Sequence, residues 1–577
     1  MADGTAGTRA GFALTGGLAG WSLYLLTDWA GRGLIEGRLA LALIALAAGF
    51  FTTVLALSGP VPPRRTLIPA AVVAVGLAGL MLLASLRHAQ AADLLDAPFA
   101  VMAALLVMLL PLPFLLAQLA GPGWDHYPSL FRHSWTLVVR VGAGWLFALV
   151  VWALAALSAA VLDLVGIDIL ERLLFQPPWW PILTGVALGL GLAVANELAE
   201  VMAPDLLLRL LRLLLPVVLA VLAVFLLALP VRGIGGLPWP VSPAGTLLAM
   251  ALAGVGLVAV AVDARDDLAA AGPVLPRAAQ ALALLLPLPA ALAAWSVGQR
   301  VLALGLTPGR LAAGLAAAVL LAYGLAYAAA VLRGRGWMDR VRRANRILAL
   351  AVLALAALWL TPLLNAEALS SRDLLARVAD GRTTPDRLDL AALGRWGLPG
   401  ARVLDDLAAL AEARGDTALA AQIAAQRGLM AAEPLPTPDL ARALVALMPV
   451  VPAAAAPQAA ALVAQLSPPE LQDWLAACRR PLPQGGPGCV LVLADFWPDR
   501  PGDEAMALLR DPSGYLRAEG FLPGETVAPR RSVLTLGGDP GPDAEGLISA
   551  LQAGTATLGA LPLQGLRGPE GWLVLLP

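Results

Sequence analysis

The amino-acid sequence predicts an all-α polytopic membrane bundle of about eleven transmembrane helices, followed by a small soluble α+β C-terminal domain. Three observations carry that prediction. Hydrophobic residues make up 59% of the 577 and charged residues only 14%, whereas a soluble domain is about one quarter charged. A mean hydropathy of +0.78 over such a length requires many spans rather than one anchor. Charge is also divided: residues 1–365 carry 22 Arg against 16 Asp plus Glu, and residues 366–577 carry 17 against 24. A basic membrane part thus precedes an acidic tail.

Apolar runs of about 20 residues place the spans near 10–30, 39–58, 67–86, 98–119, 141–163, 181–200, 211–230, 245–263, 278–297, 310–332 and 347–365. The first run is longer than a signal-peptide core and reads as an uncleaved span. Ile167 to Trp180 is amphipathic, ends in Pro-Pro-Trp-Trp and suits the bilayer interface. Between the last two spans, residues 331–346 hold six arginines. With the N-terminus on the same side as that loop, this side carries fifteen arginines and the opposite loops seven. The bias puts the N-terminus in the cytoplasm and the tail beyond residue 365 outside, in the periplasm of a bacterium with two membranes. All 39 basic residues are Arg, which with the Ala, Leu, Gly and Pro content reads as GC-rich coding, so no nucleic-acid partner is inferred.

The expected organisation is a multi-span domain over 1–365, a soluble helical segment over 366–480 and a small α+β region over 481–577. In the helical segment Val403, Leu407 and Leu410 recur at helical spacing among Asp405, Asp406 and Glu412. Val490 to Leu493, Ala505 to Leu509, Ser532 to Leu536 and Trp572 to Leu576 are strand-like, with turn residues between them.

The sixth span holds the most costly polar residues. Asn196, Glu197 and Glu200 fall within about 100° of one helix face, and ionisable groups in a span commonly face the bundle interior, find a partner and mark ion or solute paths. Arg209 and Arg212 follow closely as candidate partners, and Arg140 near the start of span five is either a cation snorkelling to the interface or a further counter-ion. These six form the expected membrane-embedded polar site, unless Glu197 and Glu200 merely end a helix at headgroup level. Asp263, Asp266 and Asp267 read as solvated loop residues. Leu109-Leu-Pro-Leu-Pro113 recurs as Leu285-Leu-Pro-Leu-Pro289 five spans later, an arrangement met in inverted-repeat transporters and equally in plain kinked helices. Gly16-x-x-x-Gly20 and Gly185-x-x-x-Gly189 permit close helix packing.

The two cysteines, Cys478 and Cys489, enclose a flexible, turn-rich segment, and an outward tail favours a disulfide between them. Their number and spacing do not suit a metal site. The acidic stretch Asp495 to Glu504 is too widely spaced for a calcium loop and reads as a hairpin. No phosphate loop, nucleophile elbow or zinc-protease helix occurs. Only His126 and His133, which flank a Tyr-Pro loop with Asp125, offer an acid–base site, and beside Arg132 on the cytoplasmic side they read equally as interfacial residues, so an enzyme is the weakest reading and no cofactor or metal is expected.

Asn196 to Pro216, the Gly336-Trp-Met and Arg342-Arg-Ala-Asn345 of the basic loop, and Trp359-Leu-Thr-Pro-Leu-Leu-Asn365 together resemble a bacterial integral-membrane family catalogued as a domain of unknown function, number four-one-five-three. The resemblance covers most of 10–365 and implies a multi-span inner-membrane protein; it brings no activity and no catalytic residues. Two functions follow as expectations. One is transport of a small solute or ion through the polar site. The other is a non-catalytic scaffold or sensor that presents a periplasmic domain to an envelope partner.

Overall fold

The computed structural model describes residues 2–163, 170, 174, 176–198, 205–232, 243–383, 388–431, 437–482, 485–496, 502–511, 516–521, 530–532, 544–555, 565–568 and 571–574. The chain forms two compact units, Met1–Gln426 and Arg427–Pro577. The division falls inside the helical segment expected over 366–480, whose residues 366–426 belong to the membrane unit.

The first unit is built from long apolar helices: α1 (Ala2–Gly31), α2 (Gly37–Leu57), α3 (Pro63–Ser85), α4 (Pro98–Leu109), α5 (Leu112–Ala120), α6 (Tyr127–Asp163), α7 (Trp179–Glu197), α8 (Asp205–Arg232), α9 (Pro243–Val262), α10 (Leu275–Leu285), α11 (Pro287–Leu304), α12 (Pro308–Leu332) and α13 (Trp337–Trp359). Among the described residues, nine helices or helix pairs are long and apolar enough to cross a bilayer. A tenth appears if α13 and the 85° bend into Pro362–Ala379 are counted as one span. The difference from about eleven has a physical source. Helix α1 is diluted by seven glycines and by Arg9 and Asp28, and the first turns of α13 carry Asp339, Arg340, Arg342, Arg343 and Arg346. The apolar stretches of α6 and α8 are only 11% buried within the protein, and Leu227 and Leu332 are each 77% exposed. Such unbroken apolar surface is stable against lipid and not against water. The chain is therefore an integral membrane protein.

Sequence devices position these helices. In α1 and α7 the two small-residue motifs meet each other: a Cβ at Gly16 would lie 2.0 Å from the Gly185 carbonyl oxygen, at Gly20 2.0 Å from that of Pro181, and at Gly189 2.2 Å from that of Phe12. As the number rises along one helix it falls along the other, so the pair is antiparallel at backbone contact, which only glycine allows. Both Leu-Leu-Pro-Leu-Pro runs break their helix, between α4 and α5 at Leu110 and Pro111 and between α10 and α11 at Leu286, because proline removes a donor and clashes with the preceding turn.

After α13 the chain turns through Pro362–Leu364 into α14 (Ala366–Ala379), α15 (Leu390–Arg395), α16 (Gly397–Arg414) and α17 (Thr417–Ala431). Leu393, Val403, Leu404, Leu407 and Ile423 form their core. Asn365 caps α14 through the Ala368 N–H, 3.0 Å away.

The second unit packs α18 (Thr437–Leu447), α19 (Ala456–Val463), α20 (Pro468–Cys478) and α21 (Ala544–Gln552) on a five-stranded sheet of order β1 (Val450–Val451), β2 (Cys489–Ala494), β3 (Glu504–Arg510), β4 (Leu516–Phe521) and β5 (Arg530–Ser532). Strand β1 is parallel to β2 and the others are antiparallel, with Leu491 opposite Ala507. The period of two sorts β2 by face. Cys489, Leu491 and Leu493 join Leu444, Trp474 and Leu475 on one side, and Val490 meets Leu508 and Ile548 on the other. Ser467 and Glu470 close a capping box on α20, whose last residue, Cys478, is disulfide-bonded to Cys489 at the start of β2. Trp572 lies in β7 (Gly571–Val574), which pairs with β6 (Gly565–Gly568) in a two-stranded sheet separate from the five-stranded one. Most of Ser532 to Leu536, and half of Ile167 to Trp180, lie outside the described residues.

Candidate functional site

The six residues expected to form one polar site do not form one cluster. Glu197, exposed at the end of α7, accepts from Arg9 at 2.9 Å, a partner not foreseen. Arg140 is only 4% exposed and donates to the Ser58 carbonyl at 2.9 Å and that of Ala56 at 3.4 Å. Backbone carbonyls at the end of α2 thus hold two of its guanidinium nitrogens. Asn196 reaches the same turn, with its amide against Gly59, where a Cβ would lie 2.6 Å from Nδ2. Arg212 turns the other way. Its Nε donates to Val260 at 3.1 Å and its Nη1 to Leu268 at 2.9 Å, and it pairs with Asp263. Arg209 is exposed and Glu200 lies outside the described residues.

Asp263 is buried rather than solvated, and it adopts a positive φ of 55°. It closes α9 between two arginines, since Arg342 donates to the Asp263 carbonyl at 3.1 Å and the Val262 carbonyl at 2.8 Å. Arg342 also pairs with Asp266 at 2.8 Å and Asp339 at 2.7 Å. Only the resulting network, between residues some 80 positions apart in the chain, explains why an aspartate can be held inside at a helix end. His126 bonds locally to Ser129 at 2.9 Å, which makes no pair with His133. Among the described residues no group of three His, Cys, Asp or Glu could hold a metal ion. Glu504 is buried and accepts from the Phe496 N–H at 2.9 Å, tying together the ends of the antiparallel pair β2–β3, while 497–501 of the acidic stretch lie outside the described residues.

The feature that the sequence did not announce is a cavity of about 880 Å³ between α4, α5, α6, α9, α12 and α13. Small-molecule sites typically measure 300–1,000 Å³. Gly256 on α9 and Gly309, Ala312, Ala313 and Ala316 on α12 hollow it out, while Phe99, Met102 and Trp359 line one end. Its lining follows α12 from Gly309 to Tyr327, which at 1.5 Å per residue is about 27 Å. Polar groups gather at the other end. There Tyr327 donates to Asn345 Oδ1, and Asn345 Nδ2 donates to the Tyr127 hydroxyl at 3.0 Å. Tyr127 and Arg346 are shared with an adjoining polar pocket of about 460 Å³, lined also by Arg265, Asp266, Asp339, Arg342 and Arg343. One cavity thus has an apolar body and a cationic mouth.

At the opposite end of the helices a second buried cluster ties α14 to α3 and α13. Arg87 pairs with Glu367 at 3.2 Å and donates to the Trp359 carbonyl at 2.6 Å and that of Thr361. The Arg87 carbonyl accepts from Leu398 at 2.8 Å. His88 beside it is 1% exposed and neither ring nitrogen has a hydrogen-bond partner. Burial pushes its pKa below the ordinary 6.5, against the opposing pull of Glu367 and Asp93. Arg377 on α14 donates to the carbonyls of Leu302 and Ala303 at 3.1 and 2.8 Å, capping the end of α11. These contacts between residues up to 280 positions apart carry no local signature in sequence.

No family model, curated protein or solved structure matches the chain.

Proposed function

We propose that this integral membrane protein takes up a lipophilic small molecule from the bilayer, in the manner of a transporter for a small solute. The observation that carries the reading is the cavity of about 880 Å³, apolar over nearly its whole length and polar at one end. The groove is open at its side, with Met102 56% and Leu252 62% exposed along it, so an apolar molecule can enter it from the bilayer. Adding α1 and α13 to the nine apolar spans restores eleven. The arginine bias then places the N-terminus and the cationic mouth in the cytoplasm and the second unit outside, and the Cys478–Cys489 disulfide agrees with that compartment. A bacterial inner membrane is the setting implied by the resemblance carried by Asn196–Pro216 and Trp359–Asn365.

A photoactivatable long-chain fatty acid, incorporated into membranes holding the full chain, tests the reading. Peptide mapping is expected to place adducts on buried cavity residues such as Phe131, Val255 and Leu320 well above those on the outward-facing Leu227 and Leu332. Equal labelling of both sets would reduce the cavity to ordinary lipid contact. The second reading, a scaffold presenting the outer unit to an envelope partner, draws on the separate core and disulfide of Arg427–Pro577. It predicts that deleting 427–577 abolishes function while filling the cavity does not.

A further inference from the structure

We infer that the occupant of this cavity is an anionic lipid, its phosphate headgroup held by Arg343 and Arg346 and its apolar chain lying between α9, α12 and α13. This rests on the cavity reading above and names the ligand class. Charge decides it. The polar pocket that shares Tyr127 and Arg346 with the cavity is lined by four arginines, Arg265, Arg342, Arg343 and Arg346, against two aspartates, Asp266 and Asp339. Both aspartates are engaged by Arg342, whose remaining guanidinium contacts are carbonyls of the α9 end. Arg342 is therefore part of the wall. Arg343 is exposed at the pocket, and Arg346 donates to the Asp125 carbonyl and has no ion pair among the described residues. Guanidinium groups grip phosphate oxygens in a fork geometry, and each basic side chain near a membrane surface favours an anionic lipid.

Polarity is graded in the order an amphiphile requires. Beyond Arg346 come the hydroxyls and amide of Tyr127, Asn345 and Tyr327, at the depth of a headgroup and its ester linkages. Beyond these the lining is aliphatic and aromatic as far as Phe99 and Trp359. A free anion would leave this apolar body empty, and an uncharged hydrocarbon would leave the arginines without a partner. An anionic lipid meets both.

The test is native mass spectrometry of the full chain in detergent, titrated separately with dioleoyl phosphatidylglycerol and dioleoyl phosphatidylcholine, which differ only in headgroup. Phosphatidylglycerol is expected to bind at least about tenfold more tightly. The exposed change Arg343→Gln is expected to remove roughly fivefold of that preference, and Arg343→Gln with Arg346→Gln to remove it entirely, with phosphatidylcholine losing less affinity than phosphatidylglycerol because its choline already offsets its phosphate charge. Equal binding of the two lipids by the native chain would overturn the headgroup inference and leave the cavity reading standing. A third variant separates the two claims. A Cβ on Gly256 meets nothing within 4 Å, so a side chain introduced there starts in open space, and Gly256→Trp is the variant that fills the cavity. If that variant binds both lipids as the native chain does, the lipid sits outside the cavity and both the inference and the reading beneath it fail.

Discussion

Replacing Glu367 by alanine isolates one buried cation and gives the sharpest energetic prediction. The carboxylate lies 3.2 Å from Arg87 Nη1, and both side chains are less than a tenth exposed. At an effective dielectric near 20 their attraction is about 5 kcal/mol, set against a desolvation penalty of several kcal/mol per ion. The pair as a whole therefore contributes little net stability, but removing one partner leaves Arg87 with only the carbonyls of Trp359 and Thr361. That loss is worth about 3–5 kcal/mol. It falls on the docking of α14, so it changes local opening before global unfolding. Cleavage by trypsin after the buried Arg377 reports that opening, since its side chain is held by the α11 carbonyls in the closed state. A penalty of 3 kcal/mol raises the open population roughly 150-fold, and the initial cleavage rate with it. The double variant Arg87→Leu with Glu367→Leu is expected to recover most of the protection. If Glu367→Ala cleaves at the native rate, or if the double variant is worse than the single, the buried-pair account is wrong.

Four further outcomes follow from the same geometry. His88 is held neutral by burial, so its folded pKa lies below the ordinary 6.5; stability from this group is complete above about pH 6.5 and is lost as the pH falls from there toward the folded pKa. Arg377 cleavage should accelerate between pH 7.5 and about 5.5, and His88→Leu should flatten that dependence. Gly185→Ala places a methyl 2.0 Å from the Gly16 carbonyl oxygen, and separating α1 from α7 should cost about 1–3 kcal/mol, read as a lowered midpoint for loss of the monodisperse peak on heating. Reducing Cys478–Cys489, which are 11 residues apart, should destabilise the second unit by roughly 3 kcal/mol by the loop-entropy relation, measured by its urea midpoint in detergent. In intact cells both thiols should resist maleimide until an external reductant is added; labelling that needs a permeabilised membrane and no reductant would put this unit inside.

What was legible in sequence is what depends on local pattern. Apolar length gave the spans, and small-residue spacing marked the α1–α7 contact, though not that the two motifs would meet each other. Leu-Leu-Pro-Leu-Pro marked both helix breaks. Short apolar runs between turn residues marked β2 and β3, but β4 was missed because Leu516 to Phe521 interleaves Arg517 and Glu519 with small residues. The candidate site was harder. Glu197 stood out as a charge at the end of a span, and its partner Arg9 is 188 residues away. Arg212 was recognised as needing an anion, but Asp263 looked solvated because a loop aspartate gives no hint of burial. The cavity was hidden for a simple reason: Gly309, Ala312 and Ala316 look like ordinary packing residues until the helices around them are in place.

The most direct measurement is an experimental structure of the full chain in a nanodisc of mixed phosphatidylglycerol and phosphatidylcholine. The account predicts elongated density that is not protein, lying between α9, α12 and α13, with its head at Arg343 and Arg346 and its tail toward Trp359. A cleft closed by side chains, or lipid density confined to the outer faces of α6 and α8, would contradict it.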